Sequence, residues 1–121
     1  MTFLIKENAD QQLITVKTKG SITLEELESM RDVVLTMYED TGFKRVCLDM
    51  YESTLKLEMR EILKYIHNCR GIIKMKELRI SGVINLEDDV SNYIQLFLSS
   101  VGFSIYFFYK KEEAIKWLQA A

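Results

Sequence analysis

The residues best placed for chemistry in this 121-residue sequence lie in one short stretch, Asp49-Met50-Tyr51-Glu52-Ser53-Thr54. Asp49 falls near the end of an apolar run, Arg45 to Met50, that reads as a buried strand, and ligand sites on parallel sheets gather at strand ends. It is a candidate polar anchor; the plainer alternative is a carboxylate that accepts loop amides. Glu52 is near enough in sequence to pair with Asp49 for acid–base work, but nothing in the spacing fixes their separation. Ser53 and Thr54 stand before a helical stripe. A phosphate on either would meet free amides and the positive end of a helix dipole, with Lys56 and Arg60 adding attraction. The same residue types also serve as an ordinary N-cap, which is the commoner role. Tyr51, Lys56 and Arg60 complete a surface expected to meet a partner.

Elsewhere the chemistry thins out. His67 is the single histidine, and with no second one it cannot build a histidine-rich metal site. Cys47 sits inside an apolar run and reads as a small core residue. Cys69 lies near a helix end beside Arg70, which could lower its pKa; an inert thiol is the simpler reading. The two cysteines have no metal-ligand spacing. No GxGxxG or Walker pattern occurs, and each of the five glycines has a structural role, leaving none for a phosphate loop. The expectation is a chain that is not an enzyme, with no cofactor and no metal.

Aromatic residues crowd the C-terminal third: Phe103, Tyr106, Phe107, Phe108 and Tyr109 in one strand, Tyr93, Phe97 and Trp117 in the flanking helices. Alternation in a strand separates Phe107 and Tyr109 from Tyr106 and Phe108. Either both faces of the sheet are covered, or Phe97, Tyr106, Phe107 and Trp117 form an apolar surface for a homodimer or a small apolar ligand.

The elements that would position these residues follow from periodicity. Thr2 to Lys6 and Leu13 to Lys19 read as an antiparallel hairpin; in the second run Ile14, Val16 and Thr18 share one face and Thr15, Lys17 and Lys19 the other. Thr23-Leu24-Glu25-Glu26 is a capping box that opens a helix with Leu27, Met30, Val34, Met37 and Tyr38 on its stripe, closed by Gly42. A second helix carries Met59, Ile62, Leu63 and Ile66 and closes at Gly71. Leu78 to Ile84 is a buried strand, with Gly82 marking a close backbone approach. Asn85 reads as the N-cap of a third helix with stripe Val90, Ile94, Phe97, Leu98 and Val101, closed by Gly102. Ser104 to Tyr109 is the last strand and Glu112 to Ala120 the last helix. The order β-β-α-β-α-β-α-β-α predicts an α/β fold, a mixed and mainly parallel sheet with an N-terminal antiparallel hairpin and four helices, in one domain over residues 1–121.

The composition, 48% hydrophobic and 28% charged, is that of an ordinary globular chain. The net charge of -2 argues against nucleic acid as a partner. Residues 44–79 carry 9 basic and 5 acidic side chains, a mildly basic middle between two acidic thirds. That middle reads as a solvated helix face or as a patch for an acidic partner. No signal peptide or transmembrane stretch is apparent, and reduced thiols fit a cytoplasmic protein.

The ordered set of motifs resembles the SpoIIAA-like fold shared by STAS domains, in particular uncharacterised bacterial SpoIIAA-like proteins. It is carried by Ile14-Thr15-Val16-Lys17-Thr18-Lys19-Gly20 before a capped helix, Arg45-Val46-Cys47-Leu48-Asp49-Met50, Leu78-Arg79-Ile80-Ser81-Gly82-Val83-Ile84, and Glu112-Glu113-Ala114-Ile115-Lys116-Trp117-Leu118. The resemblance implies a non-catalytic regulatory or protein-interaction module similar to anti-sigma-factor antagonists, with an unidentified protein partner; a carrier of a small apolar ligand or lipid is the alternative. Those antagonists carry a phosphorylated serine in an Asp-Ser-x-Gly-Leu context. Here that place reads Asp49 to Leu57 without the flanking Asp-Ser and Gly-Leu, which puts the phospho-switch in doubt.

Overall fold

A computed structural model describes residues 2–120. Its elements are β1 (Thr2–Asn8), β2 (Leu13–Ile22), α1 (Leu24–Thr41), β3 (Arg45–Leu55), α2 (Met59–Arg70), a 3-10 turn (Ile73–Glu77), β4 (Arg79–Val83), α3 (Asp89–Ser100), β5 (Ser104–Phe108) and α4 (Lys111–Gln119). The strands form one sheet in chain order, β1-β2-β3-β4-β5, with only β1–β2 antiparallel. The expected element order holds throughout.

Chain order dictates where the helices go. Three successive crossovers step the same way along the sheet, and right-handed crossovers then place α1, α2 and α3 on the same face. Their apolar stripes meet Ile14, Val16, Val46, Ile80, Ile105 and Phe107 of the strands in the main core. α4 follows β5 and turns back over the opposite face, where Ala114 and Leu118 close on Leu13, Cys47 and Val83. Both faces of the parallel strands are therefore covered, which accounts for their near-continuous apolar sequence. Gly82 pairs with Phe107, and a Cβ on Gly82 would lie 2.1 Å from that ring. The glycine makes room for the aromatic residue on the neighbouring strand.

The capping box at Thr23 is present: Glu26 N–H donates to the Thr23 hydroxyl at 3.3 Å, and Thr23 N–H donates back to the Glu26 carboxylate at 3.2 Å. Gly42 ends α1 in a left-handed conformation (φ 74°) and donates to the Tyr38 carbonyl at 2.8 Å.

Several local expectations give way. β3 does not stop at Met50 but runs to Leu55, because Glu52, Ser53, Thr54 and Leu55 pair with Lys19, Gly20, Ser21 and Ile22 beyond a register shift between Lys17 and Lys19. β2 correspondingly runs through Gly20 instead of ending there. In α2 the buried stripe is Ile62, Tyr65, Ile66 and Cys69, while Met59 and Leu63 are half exposed. Gly71 closes α2 in a right-handed conformation (φ -78°), donating to the Asn68 carbonyl. Asp88, not Asn85, caps α3: its carboxylate accepts from Ser91 N–H at 2.8 Å and from the Ser91 hydroxyl at 2.7 Å.

Candidate functional site

The stretch singled out from sequence lies at the C-terminal end of β3 and leads into α2. Asp49 accepts the Tyr51 amide at 3.3 Å, the loop-amide role described as its plainer alternative. Glu52 is 3.9 Å from the Lys17 ammonium on β2, and no hydrogen bond joins it to Asp49. Ser53 is buried at 3% exposure, and its hydroxyl is hydrogen-bonded to that of Thr18. The sequence places Ser53 and Thr54 ahead of a helix; the structure places both inside β3, and the N-cap of α2 is Glu58, paired in a capping box with Glu61. The polar run Tyr-Glu-Ser-Thr hides a period of two, with Ser53 and Leu55 inward and Glu52 and Thr54 outward.

Thr54 is exposed, yet its surroundings suit a phosphate poorly. It lines a cleft of about 260 Å³ with Ser53, Asn85, Glu87, Asp88 and Asp89, at the start of α3. Three carboxylates so close would repel an added phosphate. Asn85 fastens this corner: its side-chain amide donates to the Tyr51 carbonyl at 3.0 Å and the Ser53 carbonyl at 3.3 Å.

The other candidates gather on the surface. Tyr51 is 53% exposed and Met59 51%. Lys56 is exposed, and Arg60, also exposed, bonds the Glu58 carboxylate at 3.3 Å. One helical turn beyond Met59, Leu63 is half exposed. α2 packs against α1 and α3. Its Tyr65 flank faces α1, where the Arg31 guanidinium lies 5.6 Å from the ring centre. Met59 and Leu63, four residues apart, lie on the other flank of the helix. On α3, Gln95 and Ser99 bond to β5, while Tyr93 and Phe97 on the opposite flank are exposed. Exposed apolar side chains thus occur on β3, α2 and α3, with the exposed cations Lys56 and Arg60 flanking Met59 in the sequence.

The four residues expected to form a single aromatic surface are separated. Phe107 is buried in the main core. Phe97 is exposed on α3. Tyr106 and Trp117 lie on the α4 face, where their ring centres are 6.3 Å apart and Phe108 joins them. There the Arg79 guanidinium stacks on Trp117 at 3.7 Å and donates to the Trp117 carbonyl at 2.8 Å. A cation at the last carbonyls of α4 suits the negative end of its dipole.

Under α2, between α1, α3 and the sheet, is an apolar cavity of about 60 Å³ whose walls include Met30, Val34, Tyr65, Ile94, Leu98 and Phe107. Arg31 lies at its wall. Its side chain is 10% exposed and reaches Asp32 at 3.1 Å, Glu28 at 4.0 Å and the Cys69 sulfur at 3.9 Å. Sequence reasoning passed over Arg31, although its place four residues after Leu27 and three before Val34 sets it at the margin of the apolar stripe. Burial raises the pKa of Cys69, Cys47 and Tyr65, so the two thiols stay protonated and unreactive at neutral pH. The inert reading of Cys69 fits, since burial outweighs the nearby guanidinium. His67 is exposed on α2. Among the described residues no group of three or more His, Cys, Asp or Glu side chains is placed to hold a metal ion, and no helix is long and apolar enough to cross a membrane.

The five-stranded sheet in chain order, with three helices on one face and the last helix on the other, is a SpoIIAA-like fold. The chain is similar over 97% of its length to the crystal structure of an uncharacterised protein of the DUF3478 family with a SpoIIAA-like fold from Shewanella loihica PV-4, covering 92% of that chain at 20% identity with a TM-score of 0.58. No family model and no curated protein matches the sequence.

Proposed function

We propose that this chain is a non-catalytic docking module that engages a protein partner through the corner formed by the end of β3, the start of α2 and the adjoining flank of α3. The observation that supports it most directly is the exposure of Tyr51, Met59 and Leu63 beside the Lys56 and Arg60 cations. A half-exposed apolar strip with a charged rim is the usual anatomy of a contact surface. The buried Ser53 and the carboxylates around Thr54 favour docking that does not depend on phosphorylation.

Cross-linking mass spectrometry in cells of the native host tests this reading. Cross-links from Lys56 to a specific protein, lost in Met59→Asp and Arg60→Glu but retained in Tyr106→Lys on the α4 face, are the expected result. Cross-links to that protein unchanged by both α2 substitutions would count against this surface.

The apolar cavity supports a second reading, carriage of a small apolar ligand. At about 60 Å³ it is far below the roughly 300 Å³ of a pocket for a drug-sized molecule, which limits the ligand to a few carbon atoms unless α2 moves. Native mass spectrometry of protein from its own host separates the two: extra mass that leaves on denaturation supports the carrier, and a bare chain mass leaves the docking reading standing alone.

A further inference from the structure

The two edges of the sheet are treated differently. At β5 two of the outward backbone groups are occupied from within the fold. Phe107 N–H donates to the Gln95 side-chain oxygen at 2.6 Å, and the Ile105 carbonyl accepts from the Ser99 hydroxyl at 3.3 Å. Gln95 and Ser99 stand one turn apart on α3, so a single helix flank serves two successive outward residues of the strand. The inward direction is fixed by Ile84 N–H, which donates to the Phe108 carbonyl at 2.9 Å. Pairing of another strand with β5 would have to displace these bonds.

β1, at the other edge, spans seven residues against five for β5, and it pairs with β2 without a bulge. Alternate residues of an antiparallel edge strand direct N–H and C=O away from the neighbour. Among the described residues, no side chain or loop hydrogen-bonds to that outer side. Phe3 and Ile5 border the main core and are only partly buried, and Leu4 on the other face is 56% exposed. The common devices that blunt an edge, proline or a bulge, are missing; Lys6 is the one cation on the strand.

We propose that β1 is a pairing edge for a second copy of this chain, joined antiparallel about a twofold axis centred on Leu4. The side chains are compatible with a second copy in one register. Centring on Leu4 sets Leu4 against its own counterpart on one face and Phe3 against the counterpart of Ile5 on the other. It brings Lys6 opposite Thr2, so no like charges meet. Centring on Ile5 moves the two Lys6 ammonium groups onto a cross-strand diagonal, and centring on Lys6 sets them directly opposite, which is destabilising. Two copies so joined would share a ten-stranded sheet with the half-buried Phe3 and Ile5 of each covered by the other. This interface is separate from the docking corner at α2, and from the aromatic residues of β5 where sequence alone placed a dimer contact.

The test is sedimentation equilibrium of the intact chain up to about 1 mM, where an association with a Kd in that range is populated. It is combined with amide hydrogen exchange across the same concentrations. The expected result is a concentration-dependent dimer whose formation slows exchange in residues 3–6. Leu4→Lys, which places like charges opposite at an already exposed position, should weaken the dimer at least about tenfold without lowering the melting temperature by more than a few degrees. Gln95→Ala leaves the β1 dimer intact. A monomer over the whole range would overturn the proposal, and so would a dimer indifferent to Leu4→Lys. Protection of β1 amides only on adding a different protein would show a pairing edge with another occupant and would overturn the second copy.

Discussion

One face of the sheet lies under α1, α2 and α3; the other lies under α4 alone, nine residues that reach β3, β4 and β5. The sequence of each strand matches the cover it receives. In β2 the residues facing the three helices are Ile14, Val16 and Thr18, all buried, while on the other face Leu13 packs under α4 and Thr15 and Lys17 are polar. In β3 to β5, where α4 lies overhead, the second face turns apolar with Cys47, Val83 and Phe108. The cover of α4 also takes in polar groups, the fully buried Ser81 and the Arg79 guanidinium stacked on Trp117. The apolar lining of the main face, by contrast, is shared among three helices and leaves a void under α2.

Substitutions can break this contrast. The largest effect is expected at Leu98→Ala, which enlarges the existing cavity on the main face and should cost about 2–5 kcal/mol, near the upper end, in urea unfolding. Leu118→Ala removes a side chain of similar burial beneath α4, and because a short terminal helix settles more readily the loss should be smaller, about 2–3 kcal/mol. Equal losses at the two sites would show that α4 is held as firmly as the three-helix layer. Gly82→Ala drives a methyl group into the Phe107 ring and should destabilise by about 1–3 kcal/mol. Thr15→Val, at a half-buried position of β2 where only a long 3.4 Å bond to the Lys6 carbonyl is lost, should change stability by less than about 0.5 kcal/mol.

A pH series sharpens the same comparison. Cys47 lies beneath α4 and Cys69 on the buried face of α2, and burial lifts both thiols above the ordinary value of 9.0. The folded state keeps protons that the unfolded chain releases. This share of stability is therefore intact below the ordinary thiol value and declines as pH rises above it. Urea midpoints measured between about pH 7 and pH 10.5 should fall at the alkaline end. Cys47→Ala and Cys69→Ala should each flatten that fall, and an unchanged slope in either variant would remove that thiol from the account.

Much of the fold was legible because the strongest signals are local. The Thr23 capping box, the alternation of β2 and the left-handed glycine after α1 each depend on residues a few positions apart. What stayed hidden depended on distant partners. β3 extends to Leu55 only because β2 continues alongside it, and the buried Thr18–Ser53 hydroxyl pair ties residues 35 positions apart. The stripe of α2 was misread at Met59 and Leu63 because an apolar residue facing a neighbouring helix looks the same in sequence as one facing the core. Tyr65 and Cys69 were missed for the opposite reason. The cap of α3 slipped by about a turn because Asn85, Asp88 and Asp89 all suit a helix start, and the demand of β3 for a side-chain donor took Asn85 away. Of the two hydroxyls that sequence offers to a phosphate, the strand buries Ser53 and leaves Thr54 exposed, a division set by the pairing of β3 with β2 and not by any local signal.

The chain order of the sheet has a consequence for biosynthesis. Each new strand is added beside the one made just before it, and none has to slip between two that are already joined. The sheet can therefore be assembled in the order in which it is synthesised, with each helix closing over strands already made. The connections are all between nearest neighbours, which keeps loop closure short for a parallel sheet.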